Sequence, residues 1–506
     1  MRRGLPLLLV LLLGLLACGG DDDAPSPDGG GPADAGTDAP EVVDAGNAMP
    51  TCDRVAGDFA PLSTRCQHFV DAEGRVVVLR GVNARIDGVF DVDLGPERVP
   101  LEPIPSFDAS DAAAMRALGF NVLRLPMQWS GVEPTDATAE EPLRAPEYDE
   151  AYLDRIEAVL DVCRDAGLYV LVDFHQDAYS KWIGEDGAPL WAIRPPPDEI
   201  LEGPLDDLEA RRTSGQVLRA FETFFGDSAE GAALRTRYAQ MAAHVAARFA
   251  SHPAVIGYDL YNEPIGSDDE VLRLNTEVAA AIRAVSRQLV FFEPPVLQRN
   301  LSEASGRPDA PFPVEGAVYA PHIYTLAFFA TDEQRETFTR ATLLRGHASA
   351  ASEARAWGTP VFVGEWGYAP DGIRAEEYFQ MQHALHDQFG ESSAVWLWKE
   401  DSQDSWGFYD FEDEAWVARP VMTARFDRAY PERIAGWPRG WTSTADRFEL
   451  SYDGDAAVDA PTVLRLPEGT WSFSCDGAAV EATRNPQGRW ELSCGGAGIH
   501  TVVATR

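Results

Sequence analysis

Basic residues are few in this sequence. Its 506 residues include 42 Lys and Arg against 81 Asp and Glu, a formal net charge of −39 at pH 7. Nucleic acids and anionic membrane surfaces attract positively charged proteins, so this balance argues against both as electrostatic partners. The apolar share of 45% and the aromatic share of 10% are nevertheless those of a globular protein with a large core.

Motifs for metals and nucleotides are missing as well. The six cysteines and nine histidines include no CxxC or HExxH spacing, so nothing has the ligand spacing of a zinc site. No glycine-rich phosphate-binding loop follows the first predicted strand. We therefore expect neither a metal nor another cofactor in the chemistry.

Long apolar runs are also missing, apart from residues 5–16, which are too few to span a bilayer. This run follows Arg2 and Arg3 and ends in Leu-Leu-Ala-Cys at residues 15–18, which resembles a bacterial lipoprotein signal. That resemblance implies cleavage before Cys18 and lipidation of its thiol. The alternative is an ordinary secretory signal with a chance cysteine, and both alternatives predict export, with a place in the bacterial cell envelope for the lipidated form.

Residues 19–50 contain no aromatic and no basic residue and consist mainly of Asp, Ala, Gly and Pro. Such a segment buries too little apolar surface to offset the entropy lost on ordering. We expect residues 1–17 to be the signal peptide and residues 18–50 to be a disordered acidic tether. The protein would then touch a membrane only through its N-terminal lipid.

The other five cysteines are few but suggestively spaced. Cys52 lies close in sequence to Cys66, and Cys475 lies close to Cys494. In an oxidising compartment these are two candidate local disulfides. Cys163 lies among apolar residues of a predicted helix, so we expect a buried thiol there.

Short apolar, β-branched runs alternate with longer segments of helical periodicity along most of the chain. Eight such runs over about 350 residues predict a (β/α)₈ barrel, which we place at residues 51–429. The predicted strands are 76–83, 122–126, 169–174, 256–262, 289–292, 317–319, 360–364 and 394–398.

The pattern changes near residue 430. Helical periodicity stops, and short alternating runs separated by turn residues follow, as in Asp453-Gly454 and Glu468-Gly469. Residues 430–506 are therefore predicted to form a small antiparallel β-sandwich.

Polar or aromatic residues stand at the carboxyl end of all eight predicted strands, which is difficult to attribute to chance. Catalytic groups of barrel enzymes collect at that rim, because the following loops open there. In strand order these residues are Asn83, Arg124, His175, Asn262 with Glu263, Glu293, His322 with Tyr324, Glu365 and Trp398.

Two glutamates differ from the other acidic residues by their context. Glu263 lies between Asn262 and Pro264 at the end of the fourth strand, and Glu365 lies in Gly-Glu-Trp-Gly at the end of the seventh. Hydrolysis of a glycosidic bond with retention needs two carboxyl groups about 5–5.5 Å apart, one as nucleophile and one as acid/base. The two glutamates are our candidate pair.

The rim residues resemble those of the retaining glycosidases built on (β/α)₈ barrels, and of glycoside hydrolase family 5 most closely, over about residues 79–398. The resemblance implies that Glu263 is the acid/base and Glu365 the nucleophile. It is carried by Asn83, Arg124, His175, Asn262-Glu263-Pro264, His322 with Tyr324, Glu365 and Trp398.

Several neighbours have chemistry that suits this assignment. Arg124 and the Tyr324 hydroxyl are candidates for keeping the nucleophile ionised. Asn262 is a candidate donor to the sugar 2-hydroxyl, and Trp398 offers a flat face for a sugar ring. A place for Trp398 in the barrel core, and a structural role for a buried His175, remain the alternatives.

A second group of motifs resembles the endoglycoceramidases of this family, which cut glycosphingolipids between the sugar and the ceramide. It consists of Asp173-Phe174-His175-Gln176-Asp177, residues 187–192, residues 396–401 and the C-terminal sandwich. By this match Asp177 offers a carboxylate to hydroxyls of the sugar beside the scissile bond. We expect the substrate to be a glycolipid, or another β-glucoside with an apolar aglycone.

The long segment 198–231 after the third strand leaves a question open. Its Phe221, Phe224 and Phe225 either line an apolar aglycone groove or pack the segment onto the barrel.

Two alternative functions also stay open. One is a polysaccharide endoglycanase of the same family, which needs exposed tryptophans along an open cleft. The other is a non-catalytic carbohydrate-binding surface lipoprotein; for every alternative we expect a monomer. The candidate cleft tryptophans are Trp129, Trp182, Trp191 and Trp366.

Overall fold

The fold is described from a computed structural model. The structure describes residues 59–92, 103–134, 146–201, 208–296, 312–328, 330–400 and 406–506. The predicted signal peptide (1–17), the predicted tether (18–50), Cys18 and Cys52 lie outside the described residues. Within them, no helix combines the length and the apolar character needed to cross a bilayer.

Eight parallel strands form the central sheet, in the order β10-β11-β4-β5-β6-β7-β8-β9, and a parallel bridge between Tyr319 and Val361 joins its two edges. The predicted (β/α)₈ barrel is thereby confirmed. The first eleven strands are β1 (Ser63–Arg65), β2 (His68–Val70), β3 (Val76–Val77), β4 (Arg80–Asn83), β5 (Val122–Met127), β6 (Tyr169–Phe174), β7 (Val255–Asp259), β8 (Leu289–Phe292), β9 (Ala317–Tyr319), β10 (Phe362–Trp366) and β11 (Ser392–Val395).

Helices surround this sheet, and many of them begin with a side-chain cap. Asp108 accepts hydrogen bonds from the first turn of the first helix, and Gly119 ends it in the left-handed conformation that glycine adopts without strain. The described helices are α1 (Ala109–Leu118), α2 (Trp129–Val132), α3 (Glu150–Ala166), α4 (Leu208–Arg212), α5 (Gly215–Phe225), α6 (Ala229–Phe249), α7 (Asp268–Arg283), α8 (Asp332–Thr337), α9 (Arg340–Trp357), α10 (Ala375–Phe389) and α11 (Pro420–Phe426).

Side-chain alternation divides the barrel interior into an apolar lower part and a charged upper part. In β5, Val122 belongs to the inner core, and Arg124 lies two residues further along on the same face. The intervening Leu123 packs outward in the core that the sheet shares with the helices. Because the same alternation operates in the neighbouring strands, their charged side chains converge at one end of the barrel.

The described part of the insertion that follows β6, the third strand of the barrel, packs onto the barrel. Phe221, Phe224 and Phe225 of α5 are at most 2% exposed and contact the rings of Tyr179 and Tyr261. Burial of that apolar face fixes the insertion onto the barrel, so these rings do not line a groove.

After a two-stranded hairpin, two antiparallel sheets face each other across a second core that includes Trp441, Phe448 and Leu464. Their orders are β1-β2-β3-β14-β17-β21-β20 and β15-β16-β22-β18-β19, so three strands that precede the barrel join the first of them. The predicted C-terminal sandwich is thereby confirmed. The strands are β12 (Tyr409–Glu412), β13 (Ala415–Ala418), β14 (Tyr430–Ile434), β15 (Gly436–Ser443), β16 (Arg447–Gly454), β17 (Thr462–Arg465), β18 (Ser472–Cys475), β19 (Ala478–Ala479), β20 (Thr483–Arg484), β21 (Trp490–Leu492) and β22 (Gly498–Thr505).

The cysteines follow the sequence prediction where they are described. Cys475 and Cys494 form a disulfide. Cys66 is disulfide-bonded, and its predicted partner Cys52 lies outside the described residues. Cys163 is a buried free thiol, and burial raises its pKa to about 12.

Candidate active site

Arg124 is the centre of the charged end of the barrel. Its fully buried guanidinium donates to Glu365 at 2.8 Å, to Asp259 at 3.0 Å and to Glu293 at 3.2 Å. Asn83 and Asn262 accept from the same group, and Asp173 Oδ1 lies 3.1 Å from it. Burial lowers the pKa of Arg124, but the surrounding carboxylates outweigh burial and hold it well above the usual range. A single permanently charged guanidinium therefore forms ion pairs with four acidic side chains.

Glu365 lies at the end of β10 and is held at both carboxylate oxygens. Oε1 accepts from Arg124 at 2.8 Å, and Oε2 accepts from the Tyr324 hydroxyl at 2.8 Å. Burial raises the pKa of Glu365, while His322 and Arg124 act against that shift. Two fixed donors and two cations favour an ionised carboxylate in a site that removes it from water.

Glu263 lies just beyond β7, and its backbone adopts a left-handed conformation with φ of +45°. Its Oε1 lies 3.0 Å from His322 Nδ1, and its side chain is 25% exposed against 6% for Glu365. A carboxylate oxygen of Glu263 and one of Glu365 lie within 4.8 Å of each other. That spacing fits a retaining pair and is well below the ~6.5–9.5 Å of inverting enzymes.

His322 connects the two glutamates. Nδ1 faces Glu263 and lies 3.5 Å from Glu365 Oε2, and Nε2 lies 3.1 Å from Glu293. Burial lowers the pKa of His322, but Glu293 and Glu365 outweigh it and raise the pKa well above the usual range of histidine. The imidazole is therefore a cation between carboxylates.

His175 and Asp177 lie together at the end of β6. His175 Nδ1 is 2.6 Å from Asp173, and Nε2 is 3.4 Å from Asp177. Burial raises the pKa of Asp177, but Arg212 and His175 outweigh it and lower the pKa to about 2. Asp177 is thus an ionised acceptor, as recognition of sugar hydroxyls requires, and His175 is paired rather than isolated.

Trp398 is not brought to this cluster. It is 2% exposed, packs against Phe408 and Tyr409, and donates from Nε1 to Asp111 of α1 at 2.8 Å. The prediction of a sugar-facing Trp398 is corrected here, because its indole points into the helix layer. Trp396 lies at the site instead, since its ring stacks on His175 with the centroids 5.8 Å apart.

An aromatic wall stands beside the catalytic pair. It consists of Tyr324, Phe328 and Trp406: Phe328 stacks on Trp406 at 5.1 Å and contacts Tyr324 at 5.0 Å. Phe328 is 40% exposed, whereas the other two rings are buried. The wall therefore offers an apolar face to solvent next to the Tyr324 hydroxyl that holds Glu365.

Other residues at the site went without an assigned role in the sequence analysis. Glu293 was noted only as a strand end. Arg212 comes from the insertion, where it pairs with Glu185 at 2.6 Å and lies 3.7 Å from Asp177. Arg85 pairs with Glu400, and its guanidinium lies over the Trp396 ring. Glu293 could have been found from its strand-end position; the others carry no local signal.

Three groups of nitrogen and oxygen donors at this end of the barrel are close enough together to surround a cation. They are Asp259, Glu293 and His322; Glu263, His322 and Glu365; and His175, Asp177 and Asp186, each within 4.8 Å. Each group combines one imidazole with two carboxylates, an arrangement that can also pass a proton between neighbouring groups.

The part of the chain that forms the barrel matches a known protein family. The family model described as Cellulase (glycosyl hydrolase family 5) matches residues 70–402. Endoglycoceramidase I of Rhodococcus hoagii is 33% identical over 197 residues, which are 39% of this chain and 35% of that protein. An endoglycoceramidase of Cyanea nozakii is 24% identical over 76% of this chain and 80% of its own length.

Solved structures of an endoglycoceramidase are similar to this chain in fold. Endo-glycoceramidase II from Rhodococcus sp., in a lactosyl-enzyme intermediate, has a TM-score of 0.69 and 27% identity, covering 86% of this chain and 98% of that one. The same enzyme in a ganglioside GM3 complex has a TM-score of 0.70 and 25% identity, covering 87% and 99%.

Proposed function

Because the chain belongs to glycosyl hydrolase family 5 and is a glycoside hydrolase, we propose that it cleaves the β-glycosidic bond of a glycolipid, or of another β-glucoside with an apolar aglycone. The reaction runs by double displacement through a covalent glycosyl-enzyme. Glu365 is the nucleophile and Glu263 the acid/base.

The environments of the two glutamates support these roles. In the first step Glu365 attacks the anomeric carbon while Glu263 gives its proton to the departing oxygen. Arg124 and Tyr324 hold both oxygens of Glu365 in place for attack. In the second step Glu263 takes a proton from water, whose oxygen displaces Glu365 from the sugar. The greater exposure of Glu263 suits a group that must meet water.

The aromatic wall is the observation that carries the choice of an apolar aglycone. Phe328 presents an exposed ring, backed by Trp406 and Tyr324, within reach of the catalytic pair. Burial of each methylene of an alkyl chain there stabilises the complex by about 0.8 kcal/mol. Similarity to the endoglycoceramidases of Rhodococcus hoagii and Cyanea nozakii supports the same choice.

The polar end of the site suits the sugar. His175, Asp177 and Trp396 lie together there and combine a charged acceptor with a flat ring face. Asn262 is fixed between Arg124 and the carbonyl of Gln176, and its amide is the candidate donor to the sugar 2-hydroxyl.

The endoglycanase alternative is less well supported. It relied on exposed tryptophans, but Trp129 and Trp191 are 4% exposed, Trp366 is 2% exposed and Trp182 is half-buried. The first three rings belong to the core between sheet and helices, and Trp182 packs against that core.

Kinetics on a small substrate panel test the proposal. The panel consists of a glycosylceramide, a cello-oligosaccharide and alkyl β-glucosides of increasing chain length. We expect release of the intact glycan from the glycosylceramide and a kcat/KM that rises with chain length. No gain from a longer chain, together with faster cleavage of the cello-oligosaccharide, would overturn the glycolipid assignment and leave the endoglycanase.

We also propose that the chain is exported to the bacterial cell envelope as a monomer and is anchored there by lipid on Cys18. The motif at residues 15–18 supports this. A Cys18→Ala variant should leave the membrane fraction on cell fractionation, whereas the full-length wild type should remain in it. A single acyl chain binds a membrane only marginally, so stable anchoring requires more than one chain. A variant that stays equally membrane-bound would contradict the anchor.

A further inference from the structure

We propose that Glu293 is a positioning residue that holds the acid/base Glu263 in its working conformation. This inference rests on the proposed function. Glu293 follows β8 directly and is 1% exposed. Its carboxylate connects the backbone of Glu263, the ring of His322 and the guanidinium of Arg124.

The first connection is to the peptide of Glu263. Glu293 Oε2 accepts from the backbone N–H of Glu263 at 3.0 Å. Gln176 Nε2 donates to the carbonyl of Glu263 at 3.2 Å on the other side. Glu263 has φ of +45°, a region that residues with a side chain rarely adopt, and such a conformation persists only where the surroundings enforce it. The hydrogen bond from the Glu263 N–H to the Glu293 carboxylate is one of the contacts that hold this conformation.

The second connection is to the side chain of Glu263. Glu293 Oε1 lies 3.1 Å from His322 Nε2, and His322 Nδ1 lies 3.0 Å from Glu263 Oε1. The other charged groups near the ring are Glu365, whose Oε2 lies 3.5 Å from Nδ1, and Asp259, which has a carboxylate oxygen within 4.8 Å of a ring nitrogen. Glu293 thus orients the imidazole that contacts the acid/base, as a carboxylate orients the histidine of other catalytic groups.

Glu293 itself is held firmly. Its backbone carbonyl accepts from Asn275 Nδ2 at 3.1 Å, and its Oε1 accepts from Arg124 at 3.2 Å. The nucleophile accepts from Arg124 Nη1 and from the Tyr324 hydroxyl, whereas Glu293 accepts from Arg124 Nη2. Loss of Glu293 should therefore weaken general acid/base catalysis more than nucleophilic attack.

Glu293→Gln tests this, with Asp259→Asn as the matched control. Asp259 is also a buried carboxylate that accepts from Arg124 and lies near His322, whereas the backbone N–H of Glu263 donates to Glu293. Each variant is assayed on a dinitrophenyl and on an alkyl β-glucoside, because only the alkoxide leaving group needs a proton. Where the wild type prefers a disaccharide, the matched β-lactosides are used.

For Glu293→Gln we expect kcat/KM to fall by about 10²-fold on the alkyl glycoside and to change little on the dinitrophenyl glycoside. The kcat on the dinitrophenyl glycoside should fall, because the second step needs the base, and added azide should restore it. Asp259→Asn should lower kcat/KM on both substrates alike. A uniform loss in Glu293→Gln, or no loss on either substrate, would overturn the proposal.

Labelling with a dinitrophenyl 2-deoxy-2-fluoro glycoside keeps the test valid if a variant folds poorly. The label needs only the nucleophile, so folded Glu293→Gln should be labelled at a rate close to the wild type's, seen by intact mass. If it is not labelled, Glu293→Asp, which keeps the charge, takes its place and should show the same dependence on the leaving group. A wild type that is itself never labelled would contradict the proposed function, and with it this role of Glu293.

Discussion

Two buried glutamates, one in the C-terminal sheets and one at the end of a barrel strand, differ in their electrostatic surroundings. Glu432 of β14, where the C-terminal sheets meet the barrel, contacts Arg489 at 2.7 Å, Arg433 at 3.1 Å and Arg116 at 3.4 Å. Glu365 shares one arginine, Arg124, with three other acidic side chains.

The pKa values of Glu432 and Glu365 are shifted in opposite directions from the ordinary value of a glutamate. Burial raises the pKa of Glu432, but its three arginines outweigh burial and lower the pKa to about 2. For Glu365 burial prevails and the pKa is raised. Glu432 has three arginines within 3.4 Å, whereas Glu365 shares Arg124 and His322 with neighbouring carboxylates, so the cations outweigh burial at Glu432 and not at Glu365.

The largest effect is expected from Glu365→Gln. Removal of the nucleophile should lower kcat by well over about 10³-fold, because no glycosyl-enzyme can form. Thermal unfolding should show a folded protein of similar stability. The matched control is Glu432→Gln, which makes the same change at the structural carboxylate and should keep normal kcat per folded molecule. Substantial turnover by Glu365→Gln would remove the distinction between the two groups.

Glu263→Ala should have a smaller effect that depends on the substrate. On alkyl glycosides kcat/KM should fall by about 10²–10⁴-fold, the range typical of general acid/base catalysis. On a dinitrophenyl glycoside kcat/KM should be nearly retained, and azide should raise kcat. Steady-state kinetics with both substrates measure this. Equal losses on the two substrates would contradict the acid/base role.

Glu432→Gln should act on stability and not on activity. A shift from the ordinary pKa of 4.5 to about 2 corresponds to about 3 kcal/mol in the free energy of unfolding. Because the folded-state pKa lies below the ordinary value, this contribution is complete above pH 4.5 and is lost as the pH falls towards 2. Urea unfolding at pH 7 and at pH 3 should show a destabilised variant whose deficit shrinks at the lower pH. A deficit that does not change with pH would show that packing, rather than charge, is what Glu432 contributes.

The smallest effect is expected from the disulfide. Replacing Cys475 and Cys494 by Ser opens a loop with a sequence separation of 19 and should cost at most about 3 kcal/mol in the entropic account. Both cysteines lie in the C-terminal sheets, far along the chain from the catalytic pair, so kcat should not change. Thermal unfolding with and without reductant measures the effect, and Cys163→Ala is the control for a thiol outside the disulfides. A loss of kcat in the double variant would couple the sandwich to the active site.

The barrel was predictable because its strands are short, apolar and regularly spaced. Residues 122–126 and 169–174, for example, were predicted as strands and are strands. The predicted strand 76–83 is split between two sheets: β3 pairs with β14, while β4 enters the barrel. No local pattern reveals that split, because both halves have the same apolar character and only their partners differ.

The candidate site was predictable where a polar residue lies at or shortly after the carboxyl end of a barrel strand. Arg124 and Glu365 lie inside β5 and β10, His175 follows β6 directly, and the remaining three come within five residues of the strand before them: Glu263, His322 and Tyr324. The barrel brings these side chains together. Trp398 was misplaced because residue type and spacing do not say whether a ring beyond the strand turns towards the cleft or into the helices. Arg212 went unnoticed because nothing in its local sequence shows that α4 brings it to Asp177 and Glu185.

The sequence by itself thus determined the barrel, the sandwich and the two glutamates, since hydrophobic periodicity and strand ends are local properties of the chain. The tertiary structure alone decided that Arg124 is shared by four carboxylates, that Glu293 holds Glu263, and that Trp396 rather than Trp398 faces the site. These are distances between residues far apart in sequence. They are fixed by the closure of the barrel, which no local pattern encodes.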